Sequence, residues 1–501
     1  MKLSELFDKA KINYPSEYGS IEITGVVTDS RKVTDGSMFV CINGFRFDGH
    51  DGIDEAINRG AKVIVCERVR DVFVGGAAIV KIENTRTGIA RIYNAWYGDP
   101  AGKLRIIGVT GTNGKTSVCR ILSFIFEEAG YRCASIGTLG CWSVGGREMV
   151  LKNADRLANM TTPDPESLYF ALSEMVADGA EFVFMEVSSH ALSLGKCDPI
   201  EFDTAIFTNL TRDHLDFHIN MEEYFNAKKK LFSMCRRAII NSDDTWGKRL
   251  LREISVRSIS TSCENNGDYL AENISVNADG CRAYILRYGD KSVKISLSMG
   301  GRFAVNNTLQ AAAFALEFGI SADTVSLALS KFSGVEGRME RVDLDKDIGF
   351  SVFIDYAHTP DALENLLLGV RSERVRSDER IVLLFGCGGE RDRGKRKLMG
   401  IVASRLSDFV IVTSDNSRSE SRKGIISDIL KGIDKEKPFV VIEDRRAAIE
   451  YAVENARAGD CIILAGKGHE KYEIDKTGKH PFDEAEIVRN AVEKHFRDIS
   501  Q

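Results

Sequence analysis

The stretch "RIIGVTGTNGKTSVCRILSFIF", Arg105 to Phe126, constrains this chain more than any other. An apolar run rich in Ile and Val ends at glycines, and an apolar helical pattern follows at once. Strand, glycine turn and helix in that order belong to an α/β sheet, with the turn at the strand's carboxyl end. Glycines let backbone N–H groups turn inward, and a helix start adds its positive dipole end, so the turn suits phosphate. Lys115 would then reach terminal phosphates and Thr116 a magnesium ion. The strict phosphate-loop spacing asks for Gly where this chain has Val109, so a plain glycine turn is the competing reading.

The surroundings repeat that alternation. "RIIGVT", "CASIGT", "FVFMEVSS" and "TAIFTNL" read as strands apolar on both faces, and "VNNTLQAAAFALEFG" as a helix ending near Gly319. Further on, "FSVFIDYAH", "RIVLLFGCGG", "FVIVTSDNS", "FVVIEDR" and "CIILAGKGHE" alternate with helical stretches such as "AEIVRNAVEKHF". Short β-type runs, "ITGVVTDS", "SMFVCI", "KVIVCE" and "AAIVKI", occupy the start of the chain. Breaks at "YGDPAGKL" and near "SGVEGRMERVDLDKDIG" divide the 501 residues into three α/β domains, expected at 1–98, 99–338 and 339–501. Parallel sheets are expected in the later two. Polar, glycine-rich clusters follow the predicted strand ends: "GTNGKT", "EVSSH", "NLTRDHLDFH", "DYAHTPD", "GCGGERDRGKR", "TSDNSR" and "AGKGHE". Ligands bind at that edge of open α/β sheets, and two such sheets face to face would enclose a cleft.

Composition narrows the function classes. The chain is 43% hydrophobic and 28% charged, and its formal charge of −6 argues against nucleic acid as the main partner. Eleven cysteines, none in a C-x-x-C pair, fit reduced thiols better than disulfides or a zinc site. The polar start "MKLSELFDKAKINYP" lacks a signal-peptide core. No apolar run reaches about 18 residues, so a cytoplasmic protein without a membrane span is expected.

Read singly, most motifs stay open between function and structure. Glu186 ends an apolar strand, where an unpaired carboxylate is costly; Mg²⁺ ligation would explain it, and so would a surface position. "NLTRDHLDFH" sets His214 and His218 beside Asp213 and Asp216, either a metal cluster or a capped helix start with packed histidines. "YFNAKKKLF" offers Lys228, Lys229 and Lys230, and residue type alone does not choose among them. "GCGGERDRGKRKLMG" carries Arg391, Arg393, Lys395 and Arg396, which suit an anionic ligand. "TSDNSR" joins an acid, an amide and Arg418, a set fit for a zwitterion, and "AGKGHE" adds Lys467, His469 and Glu470.

Taken together, "GTNGKTS", "EVSSHAL", "TNLTRDHLDFH", "GRMERV", "DYAHTPDAL", "GCGGERDRGKR", "TSDNSR" and "AGKGHE" resemble the Mur ligases, in order and over essentially the whole chain. The most similar branch is the UDP-N-acetylmuramoyl-tripeptide synthetases, which add the third residue of the peptidoglycan stem peptide. "TDSRKVTDGSMFVCINGFRFDGH" resembles that family's nucleotide-sugar-binding domain. The resemblance implies a UDP-MurNAc-binding domain, a central P-loop-type ATPase domain with a mostly parallel sheet, and a C-terminal Rossmann-like amino-acid-binding domain. It implies an ADP-forming amide ligase that uses ATP and Mg²⁺. Such an enzyme adds meso-diaminopimelate to the D-Glu carboxylate of UDP-MurNAc-L-Ala-D-Glu through an acyl phosphate, in cytoplasmic peptidoglycan precursor synthesis. A monomer is expected.

Carried over residue by residue, the resemblance implies that Gly111, Thr112, Asn113, Gly114, Lys115, Thr116, Ser117, Asn307, Arg338 and Asp355 bind ATP. Thr116, Glu186, His214 and Lys228, the last as a carbamate, would belong to the Mg²⁺ shells. The carbamate follows from the family pattern Y-x-x-A-K, here Tyr224 to Lys228, and it turns a cation into an anion. Lys115, Lys228, Glu186, His214 and His358 form the implied catalytic set. Ser30, Thr161, Thr162, Ser188 and Lys196 would contact UDP-MurNAc-dipeptide, although Leu194 and Lys196 replace the Gln and Arg of many relatives. Arg391, Asp415, Asn416, Ser417, Arg418, Gly466 and Glu470 would hold the amino acid. Diaminopimelate-adding members carry D-N-P-R, whose Arg meets a distal carboxylate that L-lysine lacks. Here Ser417 replaces the proline and Arg418 stays, so meso-diaminopimelate is expected over L-lysine. A folylpolyglutamate synthase would share the ATPase core but typically reads G-T-N-G-K-G-S and lacks the "DSR" domain and "DNSR". A non-catalytic scaffold would not need Lys115, Thr116, Glu186, His214 and Lys228 intact. An amidotransferase partner subunit would usually carry a four-cysteine zinc insert, for which the cysteine spacing has no counterpart.

Overall fold

The computed structural model describes residues 1–44, 47–68, 76–150, 160–215, 217–264, 267–276, 282–299, 302–344, 348–373 and 379–499. Asp216 and part of the second expected junction therefore lie outside the described residues. Among the described residues, strands form three sheets in series along the chain and one small hairpin. The first sheet is β1 (Gly25–Val27), β2 (Ser37–Val40), β3 (Val63–Cys66) and β4 (Ala78–Lys81), parallel throughout and in that order.

The second sheet begins with β5 (Arg105–Thr110), β6 (Cys133–Gly137), β7 (Gly140–Ser143), β8 (Arg147–Glu148), β9 (Phe182–Glu186) and β10 (Phe202–Phe207). It continues with β11 (Cys235–Asn241), β12 (Arg257–Ser262), β13 (Tyr269–Val276), β14 (Arg282–Tyr288) and β15 (Lys291–Ser296). Its order is β15-β14-β13-β12-β11-β10-β5-β9-β6-β7-β8. The middle is parallel, as expected for strands that are apolar on both faces. Both edges turn antiparallel, β13 to β15 on one side and β6 to β8 on the other, which the parallel expectation did not contain. In β14 the buried Arg282, Tyr284 and Leu286 alternate with half-buried Ala283 and Ile285, so this edge is fully covered on one face only.

The third sheet holds β16 (Glu340–Arg341), β17 (Ser351–Asp355), β18 (Ile381–Phe385), β19 (Phe409–Val412), β20 (Phe439–Val441) and β21 (Cys461–Ala465), in the order β16-β17-β21-β18-β19-β20. All but β16 run parallel. The hairpin β22 (Tyr472–Asp475) and β23 (Gly478–Pro481) follows.

Packing fixes how these layers meet. On one face of the second sheet, Phe126 of the Lys115–Glu128 helix stacks on Phe314 of the Arg302–Phe318 helix, centroids 5.3 Å apart. On the other face a single apolar cluster runs from Leu3 and Tyr93 through Leu168 to Phe207, joining the first sheet's layer to the second. The third sheet has its own clusters on both faces, around Leu383 and around Ile462. All seven polar clusters follow strands: β5, β9 and β10 in the second sheet, β17, β18, β19 and β21 in the third.

Candidate active site

β5 delivers the chain to Gly111 at the point where its neighbours β9 and β10 diverge in the strand order. The loop after β10 shapes the turn. Thr112 N donates to Asn209 O at 2.9 Å, Asn113 N to Asn209 Oδ1 at 2.9 Å, and Thr208 Oγ1 to Asn113 O at 2.6 Å. Glycine is required at two places. A Cβ at Gly111 would collide with Thr208 Oγ1, and one at Gly114, φ +86°, would stand 2.6 Å from Asn307 Oδ1. The Lys115–Glu128 helix starts directly at the turn and carries Thr116 and Ser117 in its first turn, where N–H groups lack helical partners.

Two lysines converge here. Lys115 Nζ donates to Gly111 O at 3.0 Å and to Thr112 O at 2.9 Å; Lys228 Nζ donates to the same Gly111 O at 2.8 Å. Lys228 is 2% exposed, whereas Lys229 pairs with Glu253 and Lys230 is exposed, so geometry picks one of three lysines that residue type left equal. Burial pushes the Lys228 amine well below its ordinary pKa, and the Lys115 charge adds to this. Burial lowers Lys115 as well, with Glu186 and Asp213 opposing.

Glu186 is buried at the end of β9 and accepts from Thr138 N at 2.8 Å and Thr138 Oγ1 at 3.1 Å. It is therefore partly satisfied, not the unpaired carboxylate of the strand-end reading. Gly137 makes room for it, since a Cβ there would collide with Glu186 Oε1. The His214 ring packs edge-on against His190, centroids 4.9 Å apart, and burial brings its pKa down to about 3. Among the described residues, no group of three or more His, Cys, Asp and Glu stands together as a ready metal cage.

Beside Glu186 the structure gathers Thr161, Thr162, Ser188 and Lys196. Thr162 Oγ1 donates to Glu186 O at 2.9 Å and accepts from Ser188 N at 3.1 Å. Thr161 Oγ1 lies 3.3 Å from Thr138 Oγ1, and Lys196 Nζ pairs with Asp164 at 2.6 Å. Ser30, after β1, donates to Glu55 Oε2 at 2.6 Å.

The third sheet turns its strand ends toward the same turn. Arg338 Nη2 donates to Thr116 Oγ1 at 3.4 Å, and the guanidinium lies 4.5 Å from the Tyr356 ring centre. Asp355 accepts from Met339 N at 2.8 Å and Ala357 N at 2.7 Å; burial raises its carboxyl, with Arg338 opposing. His358 donates Nδ1–H to Tyr356 O at 2.8 Å, and burial, helped by Lys395, brings it to about 4. It is a neutral ring with Nε2 as acceptor. Asp361 Oδ2 accepts from Asn113 Nδ2 at 3.0 Å and from Thr211 Oγ1 at 2.9 Å.

After β19, Asn416 donates Nδ2 to Glu470 Oε2 at 2.7 Å and accepts from Lys467 Nζ at 3.0 Å. Burial would raise the Asp415 carboxyl, yet Lys467 and Arg445 hold it below its ordinary value, while burial raises Glu470, with Asp415 adding. A Cβ at Gly466, φ +119°, would stand 2.9 Å from Asp415 Oδ2. Arg418, φ +52°, donates Nη1 to Gly389 O at 2.8 Å and its backbone N–H to Ile474 O of β22 at 3.0 Å. Arg391 is exposed after β18, near enough for its charge to act on Tyr356. The four cations of "GCGGERDRGKR" do not form one anion site, which corrects that expectation. Arg396 is buried against Glu420 at 3.0 Å and Asp428 at 3.2 Å, and Arg393 pairs with Glu420 at 3.2 Å.

This geometry has known counterparts. Family profiles match three segments: Mur ligase family, catalytic domain, over 22–97; Mur ligase middle domain over 109–315; and Mur ligase, glutamate ligase domain, over 337–468. The chain belongs to the Mur ligase family. This Mur ligase is 40% identical over 503 residues to the UDP-N-acetylmuramoyl-L-alanyl-D-glutamate–2,6-diaminopimelate ligase of Syntrophomonas wolfei subsp. wolfei, covering 98% of this chain and 100% of that one. A protein of the same name from Caldanaerobacter subterraneus subsp. tengcongensis is 42% identical over 477 residues, covering 94% and 95%. A solved structure of a ligase of that name is 30% identical, with a TM-score of 0.69 over 99% of this chain and 100% of that one.

Some residues at the site of this Mur ligase escaped the sequence reading. Thr138 follows β6, so the strand-end regularity could have found it. Asp361, Thr208, Asn209 and Thr211 lie inside quoted motifs, but their partners are up to 248 residues away in sequence. Lys467 of the "AGKGHE" loop ties Asn416 Oδ1, at 3.0 Å, to Tyr472 O, at 2.8 Å.

Proposed function

We propose that this chain joins meso-diaminopimelate to the D-Glu carboxylate of UDP-MurNAc-L-Ala-D-Glu, with ATP converted to ADP and phosphate, in the cytoplasm and as a monomer. The division expected from the sequence, 1–98 for the nucleotide sugar, 99–338 for ATP and 339–501 for the amino acid, goes with this reading. One observation carries it. The loop after β19 sets Asp415 beside Glu470's partner Asn416 and puts Arg418 on the same turn. Two carboxylates suit an ammonium group, and an added guanidinium suits a second carboxylate, as diaminopimelate has and L-lysine lacks.

The residues divide the work. The turn N–H groups and Lys115 hold the ATP phosphates; Asn307, Arg338 and Asp355 hold the rest of the nucleotide. The γ-phosphoryl group passes to the D-Glu carboxylate, making an acyl phosphate. The diaminopimelate amine then attacks the carbonyl carbon, and phosphate leaves as the amide forms. Thr161, Thr162, Ser188, Lys196 and Ser30 orient the nucleotide dipeptide, so positioning supplies much of the rate. Neutral His358 offers Nε2 to the proton that the amine gives up.

A magnesium ion fits the donors present. Thr116 and Glu186 supply hard oxygens, and Mg²⁺ takes few protein ligands, the rest being phosphate and water. Lys228 fits as a carbamate because burial and the neighbouring Lys115 charge disfavour its cationic form and so favour the neutral amine that attacks CO₂. When bound, the ion would neutralise phosphate charge.

The test is phosphate release with the nucleotide dipeptide and a panel of amino acids. Release that needs both the dipeptide and diaminopimelate is the expected result. Equal use of L-lysine overturns the amino-acid assignment, and release without the nucleotide sugar overturns the ligase reading.

A further inference from the structure

The third sheet touches the phosphate turn through one carboxylate that no role assigned so far uses. Asp361 lies in the first turn of the Pro360–Glu373 helix. Its Oδ2 accepts from Asn113 Nδ2 at 3.0 Å, inside the turn between Gly111 and Gly114. The same oxygen accepts from Thr211 Oγ1 at 2.9 Å, in the loop after β10, and from Asn365 Nδ2 of its own helix at 3.1 Å. Thr211 N in turn donates to Thr112 Oγ1 at 3.0 Å. One side chain from the third sheet's layer thus gathers the turn that holds the phosphates and the loop that walls it. All three donors are uncharged side chains, so the carboxylate occupies none of the turn's backbone N–H groups. Burial raises this carboxyl, with Glu364 adding, and the contact with Asn113 is part-buried.

We propose that Asp361 is a positioning residue that couples docking of the third sheet to the shape of the phosphate turn. With Asp361 seated, Asn113 is fixed and the turn is preformed for ATP. With the sheet swung away, Asn113 loses its partner and the turn relaxes. The inference rests on the ATP-dependent ligase reading above.

The experiment measures KM for ATP, kcat and melting temperature for Asp361→Ala, Asp361→Asn and Asn113→Ala, and for the Asn113→Ala/Asp361→Ala pair. Loss of a hydrogen bond to a charged acceptor predicts a rise in KM for ATP of about ten-fold for Asp361→Ala. Asp361→Asn keeps an acceptor oxygen and should recover most of that loss, while melting temperatures stay together. The double variant should be no worse than the poorer single one, because both remove the same contact. Wild-type KM in Asp361→Ala, or losses that multiply in the double variant, would overturn the coupling. Should Asp361→Ala fail to fold, Thr211→Val removes only a hydroxyl. A several-fold rise in KM for ATP supports the coupling, and an unchanged KM overturns it. Failure of the wild-type protein to release phosphate at all would instead sink the parent reading.

Discussion

Lys228 is a buried amine whose position would be unfavourable as a cation. It shares the Gly111 carbonyl with Lys115, and burial pushes its pKa well below the ordinary value. As a carbamate it becomes an anion beside a cation, and the unfavourable pair becomes a favourable one. Lys228→Ala should lower ligation on the order of 10²-fold or more, as for loss of a group that organises charge in a dry site. A small carboxylate such as acetate, entering the space left, should restore part of the rate. A variant as fast as the wild type would exclude the carbamate, and a ¹³C carbamate signal after labelled bicarbonate would support it. Ser417 makes a milder case. Among the described residues its backbone N–H forms no hydrogen bond, so proline can replace it without removing one. Ser417→Pro should keep diaminopimelate ligation and add about 0.4–1 kcal/mol of stability, read by thermal unfolding. A loss of activity would show that this turn needs more freedom than proline allows.

Arg445 governs how two elements hold their loops. It is fully buried, donates Nε to Glu484 Oε1 at 2.7 Å, and donates Nη1 and Nη2 to Ser414 O at 3.2 Å and Ala465 O at 2.9 Å. Those carbonyls follow β19 and end β21, where the Asp415 and Gly466 loops begin. Arg445→Ala leaves Glu484 buried without its partner and should cost about 3–5 kcal/mol in denaturant unfolding. Arg236→Ala, in an exposed surface pair with Glu201, should leave denaturant unfolding nearly unchanged. Similar losses for the two would mean that the buried network carries no special weight. Elements of this kind were legible as strands. "CIILA" and "FVIV" are continuous apolar runs, and a run buried on both faces announces itself. Of the antiparallel edge on this side, β15 was legible in principle, since Val293, Ile295 and Leu297 alternate with Ser292, Lys294 and Ser296; β13 and β14 were not, because they carry mixed polarity with no period that a window could separate from a loop. The hairpin β22–β23 was hidden for the same reason: all of its residues are half-buried or exposed.

At the scale of the molecule, the sequence marked which edge of each sheet bears chemistry but not which side chains meet across it. Asn113 and Asp361 are 248 residues apart, and no local pattern links them. Arg396 read as a ligand cation and is spent on Glu420, because its burial depends on a neighbour that local sequence does not specify. The meeting of the layers also sets a pH response. His358 and His469, both brought to about 4 chiefly by burial, stand where the third sheet faces Arg338. Their folded values lie below the unfolded value of about 6.5, so the unfolded chain binds more protons in between. Stability from these rings is complete above about pH 6.5 and drains away as pH falls toward about 4. Melting temperature should therefore drop between about pH 7 and 5, and less so in His358→Gln. An equal drop in that variant would remove His358 from the account.

The hairpin that was hardest to foresee sets a rule for anyone who would retune the enzyme. β22 binds the Arg418 turn at two points, Ile474 O taking the Arg418 N–H at 3.0 Å and Ile474 N giving to Asn416 Oδ1 at 2.9 Å, and holds the loop after β21 through Tyr472 O and Lys467 at 2.8 Å. A four-residue transplant from a lysine-adding relative would arrive without the strand that folds it. On the role proposed for Arg418, the portable unit of substrate choice is the turn together with its hairpin, two pieces of chain that a recombination experiment would have to move as one.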